Sequence, residues 1–294
     1  MGFDFLKKFT GPKIPPEEMR GKGATRQAQN NLKPKYATAA VADVRIWDAG
    51  RMAIVKLRPA QPLWDFKAGQ YTSIGLEVPK KGFIANAYSM ASSPAQKSEL
   101  EFLLVLVHGG ALTPTMFAAK PGDAWHYMKA VGHFHLGATR KKSLLFVATG
   151  TGVAPVRSIV KDLDEKGTLK DHRIVVANGV RWSEALAYRA EFEAWQKKYP
   201  ENILYLPTVS RPQADKGFSP AFGKGRVHEV VKLALGIGGA GAALPSGLSK
   251  EKFLEWTKPE VCAPMLVGHP EMTKDMEAVL KAKGWAEVHK EDYW

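Results

Sequence analysis

The sequence predicts two lobes: a six-stranded antiparallel β-barrel, followed by a doubly wound parallel α/β domain. Three observations carry this. Residues 35–137 hold short alternating strands punctuated by turn signals, the pattern of a small barrel. From residue 143 strands alternate with helical periodicity, the order that builds a parallel sheet with helices on both faces. Where the first of these strands (143–149, SLLFVAT) meets its helix stands Gly150-Thr151-Gly152-Val153-Ala154-Pro155. A strand that turns on glycines into a helix start presents backbone N–H groups and a positive helix end to an anion. Pro155 suits a first helical turn, where a missing N–H costs nothing. The turn reads as a diphosphate cradle, although a lone Gly-x-Gly is a weak signal.

Taken in order, residues 1–34 form a basic arm with Gly11-Pro12 and Pro15-Pro16, loosely ordered or wrapped on the body. Its Phe3, Phe5, Leu6 and Phe9 suit docking on the protein or on a membrane. In the barrel lobe, 39–47 alternates and Asp48-Ala49-Gly50 turns it into 52–57. Further strands are expected at 70–78, 84–93, 99–107 and 124–136, with a short helix at 113–119. The second lobe, 138–294, is expected to hold strands at 143–149, 173–180, 203–209, 263–268 and near 285–290. Its helices are expected at 154–165, 183–198, 226–235 and 271–283. Residues 236–260, glycine-rich from Gly236 to Gly241, read as a surface insertion.

Composition narrows the function. The chain has 294 residues, 45% of them apolar, enough for two soluble domains. No apolar run is long enough to span a bilayer, and the first residues carry no signal-peptide core, so the expected compartment is the cytoplasm. Cys262 is the only cysteine, which rules out an intrachain disulfide and a cysteine-ligated iron–sulfur cluster built from this chain. The net charge of +13 favours an acidic partner, a membrane surface or nucleic acid. Nucleic acid is disfavoured, because no helix-turn-helix, zinc-finger or RNP pattern is present. His133 and His135 fall on one face of an expected strand, but no third ligand accompanies them and no metal is expected. Trp182, Trp195, Trp256 and Trp285 are expected to bury apolar area, and Glu291 and Asp292 to be solvated.

Open parallel sheets bind ligands at the carboxyl ends of their strands. Here the second strand ends in Gly179-Val180-Arg181 and the third in Thr208-Val209-Ser210-Arg211. The fourth ends in Gly268-His269-Pro270-Glu271, and Arg226 opens a helix. Arg181, Ser210, Arg211 and Arg226 suit a phosphomonoester, since arginine forks onto phosphate oxygens. An NAD site would instead want a carboxylate for the ribose 2′-hydroxyl, and the first acid after the second strand is Glu184, inside the expected helix. The sign of charge favours NADP. In the barrel lobe Asn86-Ala87-Tyr88-Ser89 lies on a strand, with Tyr88 and Ser89 on opposite faces. Gly109-Gly110-Ala111-Leu112-Thr113 ends a strand and opens a helix, a second anion cradle.

Together these motifs resemble the bacterial ferredoxin–NADP⁺ reductases. The barrel part of the resemblance is Phe66-Lys67-Ala68-Gly69-Gln70-Tyr71, Ala87-Tyr88-Ser89-Met90-Ala91-Ser92-Ser93-Pro94, Gly109 to Thr113 and Pro121-Gly122-Asp123. The second lobe adds Gly150 to Pro155, Gly179-Val180-Arg181, Leu186-Ala187-Tyr188-Arg189, Val209-Ser210-Arg211, Gly225-Arg226-Val227 and a closing Tyr293-Trp294. The match runs in family order over about residues 36–294.

The resemblance implies FAD in the barrel and NADP(H) on the parallel sheet. It implies that Tyr88 stacks on the isoalloxazine ring with Ser89 near flavin N5, and that Gly109 to Thr113, with Asn86 and Ala87 beside them, hold the FAD. It places Thr151 near the flavin edge, Arg181, Ser210, Arg211 and Arg226 on the 2′-phosphate, and Trp294 against the flavin or the adenine. Glu271 either acts near the nicotinamide or serves as a dipole partner at its helix start. Two residues depart from the family. Asn86 stands where arginine is usual, which removes a charge-assisted contact worth ~1.5–3 kcal/mol. That implies weaker FAD binding, compensation by a neighbour such as His108, or a shift towards FMN. Val267 stands where a cysteine is common, which implies slower hydride transfer.

The expected activity is a ferredoxin–NADP⁺ reductase-type flavoenzyme, passing electrons between NADP(H) and an acidic one-electron carrier, ferredoxin or flavodoxin. Two alternatives stand beside it: the reductase component of an oxygenase system, and a flavin-binding sensor or assembly subunit without turnover.

Overall fold

The computed structural model describes residues 36–293; the predicted basic arm and Trp294 lie outside the described residues. The first lobe holds β1 (Ala37–Trp47), β2 (Met52–Pro59), β3 (Tyr71–Val78), β4 (Gly82–Ser89), β5 (Leu100–Val105), α1 (Thr113–Phe117) and β6 (Ala124–Tyr127). The strands form one antiparallel sheet in the order β4-β3-β6-β1-β2-β5. It curls until its edge strands meet: Met90 bridges to Phe102, and the Ala91 N–H donates to the Glu101 carbonyl at 2.8 Å. Inward-facing residues such as Val41, Val55, Ile74, Leu76, Phe102 and Tyr127 fill the interior, with Met116 of α1. Closure in this way removes the unpaired edges that an open sheet would expose.

The second lobe holds β7 (Ser143–Thr149), α2 (Val153–Glu165), β8 (Arg173–Val180), α3 (Arg189–Lys198), β9 (Ile203–Val209) and β10 (Gly223–Lys224). It continues with α4 (Val227–Leu235), α5 (Lys250–Trp256), β11 (Cys262–Gly268), α6 (Pro270–Ala282) and β12 (His289–Asp292). The sheet order is β10-β9-β8-β7-β11-β12 and every pairing is parallel. Alternation sorts the strands' side chains between two layers. Leu144, Phe146, Ile174 and Val176 face α2 and α3, while Leu145, Val147, Val175 and Ala177 face α4, α5 and α6. A strand buried on both faces is predominantly apolar, which is why these strands read as near-continuous runs. Among the described residues no helix is long and apolar enough to cross a membrane.

Several expected elements differ. The strand expected at 124–136 stops at Tyr127. Gly132 has a φ of +112° and packs on the Tyr71 ring, turning the chain out of the sheet so that Phe134 can join Phe146 in the other lobe's core. His133 and His135 are therefore not on a strand face; His135 precedes a short 3-10 turn. The helix expected over 183–198 breaks into a 3-10 turn (Ser183–Ala185) and α3, because Tyr188 at φ +59° turns Leu186, Ala187 and its own ring inward. The segment 236–260 is not wholly a surface insertion, since α5 buries Phe253 and Trp256 against the sheet. The last strand falls at His289–Asp292, after Trp285 has anchored in the same layer.

The lobes share one core. Met52, Ala68, Ala91 and Leu103 of the barrel lie in the same apolar cluster as α2 and β7. Polar contacts reinforce it: Arg157 of α2 donates to the Ala91 carbonyl at 2.9 Å and meets Glu101 of β5 at 3.1 Å and Glu191 at 3.0 Å. The Ser158 hydroxyl donates to the Ser92 carbonyl at 2.7 Å, and Trp47 Nε1 donates to the Glu184 carbonyl at 2.9 Å.

Candidate functional site

The carboxyl edge of the parallel sheet is tightly built. After β7, residues 150–152 form a 3-10 turn that leads into α2. Gly150 has a φ of +54° and open space where a side chain would point. Gly152 is packed instead: a Cβ there would come within 2.7 Å of the Val267 carbonyl of β11. The Thr149 hydroxyl accepts from the His269 N–H at 2.8 Å, stitching the β7 and β11 exits together. Of the predicted cradle, Gly150 and Thr151 are accessible, while Gly152, Val153, Ala154 and Pro155 are buried.

Strands β8, β9 and β10 are neighbours, and each is followed within two residues by an arginine: Arg181, Arg211 and Arg226. Adjacent strands lie about 4.8 Å apart, so the sequence's scattered arginines become one cationic edge. All three are exposed, and among the described residues none is in a salt bridge with a carboxylate. Backbone bonds from Ser210 N to the Val180 carbonyl (2.9 Å) and from Arg211 N to the Arg181 carbonyl (3.2 Å) join the β8 and β9 exits. The Arg211 guanidinium lies over the Trp182 ring at 5.5 Å, so Trp182, expected to serve only burial, stands half-buried beside a candidate site residue. Asp215 accepts from Ser183 N at 2.7 Å and from its hydroxyl at 3.0 Å. A recess of about 230 Å³ beside them is lined by Pro212, Gln213, Phe218 and Lys224.

In the barrel, Asn86 and Ala87 of β4 are exposed and Tyr88 is half-buried. Burial pushes the Tyr88 phenol's pKa up, against a hydrogen bond to Asn86 that lowers it. Gly109, at φ +76°, is exposed with open space at its Cβ position, and Gly110 N closes the turn on the Val107 carbonyl at 3.0 Å. Leu112 and Thr113 are buried, and the Thr113 hydroxyl accepts from Val107 N at 3.0 Å. An exposed, left-handed Gly109 and a half-buried Tyr88 ring in the same lobe fit a flavin nucleotide: the backbone at Gly109 can approach a diphosphate without steric cost.

Ser89 joins the two regions. Tyr293 donates to its hydroxyl at 2.8 Å, and that hydroxyl donates to Glu291 Oε1 at 3.2 Å. Tyr293 N is in turn held by the Gly268 carbonyl at the β11 exit, 2.9 Å away. Glu291 is therefore not solvated as expected. Burial pushes its pKa up from 4.5 to about 7, against the Ser89 hydrogen bond, which lowers it. Asp292 is exposed and accepts a hydrogen bond from Thr273. Glu271 stands exposed in the first turn of α6, where its N–H donates to His269 Nδ1 at 3.2 Å. Sequence reasoning missed Glu291, Arg157 and Trp182, whose partners are remote in the chain.

Cys262 is buried in β11, and burial pushes its thiol up to about 12, so it presents no thiolate. His228, Glu229 and Asp275 approach one another as metal ligands could, but the Lys232 ammonium lies 3.0 Å from Glu229 and 2.7 Å from Asp275 and neutralises them.

Comparison with known proteins agrees with this arrangement. Residues 43–136 match the family described as "Oxidoreductase FAD-binding domain", and residues 146–277 match "Oxidoreductase NAD-binding domain". The flavodoxin/ferredoxin–NADP reductase of Escherichia coli (strain K12) is 30% identical over 249 residues, covering 82% of this chain and 88% of that protein. The reductase component of a phenol 2-monooxygenase from Pseudomonas sp. (strain CF600) is 32% identical over 173 residues, covering 57% of this chain and 45% of that protein. A crystal structure of a Neisseria gonorrhoeae ferredoxin NADP⁺ reductase with bound FAD and NADP superposes with a TM-score of 0.70 at 22% identity. That comparison covers 88% of this chain and 99% of that one. With a flavin domain preceding a nicotinamide domain, and similarity to the E. coli reductase running through both, this chain belongs to the ferredoxin/flavodoxin–NADP reductase family of flavoprotein oxidoreductases.

Proposed function

We propose that this chain passes electrons between NADP(H) and a one-electron carrier of ferredoxin or flavodoxin type, as a ferredoxin–NADP⁺ reductase-type enzyme. The lobes divide the work: 35–137 holds the FAD and 138–294 the dinucleotide. The single observation that carries the choice of NADP(H) is the edge formed by Arg181, Arg211 and Arg226, three exposed arginines at the exits of three adjacent strands, with no salt bridge to a carboxylate among the described residues. A site meant for an unphosphorylated ribose has no use for three cations there.

When bound, FAD exchanges hydride equivalents with the nicotinamide and single electrons with the carrier. The chain's own residues bind and orient. Arg181, Ser210, Arg211 and Arg226 receive the 2′-phosphate, and the Gly150–Thr151 turn lets backbone approach the dinucleotide. Gly110 to Thr113 hold the flavin's diphosphate, Gly109, Asn86 and Ala87 line its bed, and Tyr88 stacks on its ring. Ser89, fixed by Tyr293 and Glu291, points its hydroxyl to the junction of the lobes. Trp294, one residue beyond Tyr293, covers the flavin or the adenine, and Glu271 lies on the nicotinamide side. The basic surface steers an acidic carrier towards the site.

The test is an anaerobic absorption spectrum of the purified protein, recorded before and after NADPH or NADH, followed by oxidised carrier. The expected result is a yellow protein that NADPH bleaches at a concentration about tenfold or more below that needed for NADH. Ferredoxin or flavodoxin then restores the colour. Equal bleaching by NADH would favour an oxygenase reductase component, the role named for the Pseudomonas relative. Yellow protein that neither nucleotide bleaches would favour a sensor or assembly subunit.

A further inference from the structure

We propose that Trp182 is a positioning residue for nucleotide selectivity, its indole face holding the Arg211 guanidinium in place for a phosphate on the ribose of the bound dinucleotide. The inference rests on the reading of Arg211 as a phosphate-receiving residue given above.

The register brings the two together. Val180 and Val209 are paired on adjacent parallel strands, and Trp182 and Arg211 each stand two residues beyond their strand's paired end. The two backbone bonds between the exits hold this register past the sheet. Asp215 adds a second clasp by accepting from both the backbone and the hydroxyl of Ser183, Trp182's neighbour. Trp182 is thus held by its own strand exit, and the Arg211 guanidinium rests on it at 5.5 Å.

Stacking differs from ion pairing in what it leaves free. A carboxylate partner would occupy the N–H donors that a phosphate needs. An aromatic face attracts the cation while consuming none of the five donors, so the fork remains available in the guanidinium plane. An exposed arginine also loses rotamer freedom when it captures a ligand, and a shelf removes much of that loss beforehand. The effect is confined to ligands bearing the ribose phosphate. Nucleotides without it gain nothing from the shelf.

The experiment is calorimetric titration of the full-length protein, as purified with its cofactor, with 2′,5′-ADP and with 5′-ADP. Wild type is compared with Trp182→Ala, Trp182→Phe, Arg211→Ala and the double variant Trp182→Ala/Arg211→Ala. We expect Trp182→Ala to weaken 2′,5′-ADP about three- to tenfold and to leave 5′-ADP unchanged, with Trp182→Phe recovering most of the loss. In the Arg211→Ala background, the loss of Trp182 should have no further effect. Equal weakening of both probes, or an undiminished effect without Arg211, would overturn the proposal, because Trp182 would then be stacking on the nucleotide or merely shaping the loop. If Arg211→Ala itself leaves 2′,5′-ADP binding intact, the phosphate reading has failed. If Arg211→Ala weakens binding and Trp182→Ala does not, only the role of Trp182 has failed.

Discussion

Ser89 takes a hydrogen bond from Tyr293 and gives one to Glu291, and these partners come from the other end of the chain. Nothing local in the sequence marks Glu291: it is one acid in a charged terminal stretch, and only the pairing of β12 with β11 brings it to Ser89. The consequence is electrostatic. Ionised Glu291 would keep one hydrogen bond in a site from which most water is removed, so the folded protein favours its protonated form. The unfolded chain ionises near 4.5 and the folded one at about 7. Below the first value the group costs nothing. Between the two a penalty on the folded state grows with pH, and above the second it is constant. Thermal unfolding of FAD-free protein between these limits is the check. Glu291→Gln should become progressively more stable than wild type as pH rises through the window, with the gap level above it. A gap independent of pH would show that Glu291 is not held neutral.

At the scale of elements, α2 does most to fix one lobe against the other. It begins at the Gly150–Gly152 turn, and Arg157, two turns in at most, reaches back across the interface to β5. Burial works against the Arg157 charge, and the carboxylates of Glu101 and Glu191 overcome it, holding its pKa up. The guanidinium also lies 4.5 Å from the Tyr188 ring centroid, which accounts for the broken helix there. A left-handed tyrosine costs about 1–2 kcal/mol and needs packing to sustain it. That break was invisible in the sequence because helical periodicity carries no signal for a contact with another element. By contrast the boundaries of β7, β8 and β9 were legible to the residue, since strands buried on both faces carry a predominantly apolar run. Arg157→Ala leaves Glu101 buried, with Lys56 at 3.9 Å, too far to hydrogen-bond. The expected loss is about 3 kcal/mol of unfolding free energy in urea. Glu191→Ala, whose side chain is 40% exposed, should cost about 1 kcal/mol or less. Similar losses from the two would mean that the interface contributes no buried ion pair.

Across the whole molecule, the architecture was legible because it rests on two periodicities, whereas the candidate site was only half legible because it lies where elements cross. Gly109, Gly150 and the three arginines announced themselves by residue type at strand ends. Their gathering at one edge followed from the parallel-sheet reading, but the short strand β10, which pairs with β9 and sets the place of Arg226, did not announce itself. The net charge of +13 needs no structure to be read, and it bears on the carrier. A shared core makes the lobes one body, so their positive charge acts as a single field on an approaching acidic protein. That field reaches about 30 Å at an ionic strength of about 0.01 M and about 8 Å at about 0.15 M. With NADPH held saturating, kcat/KM for ferredoxin or flavodoxin should therefore fall about tenfold or more between those conditions. Reduction of a small uncharged acceptor under the same conditions should stay level, because its encounter needs no steering. A carrier whose kcat/KM is as flat as the small acceptor's would show that the basic surface serves some other partner.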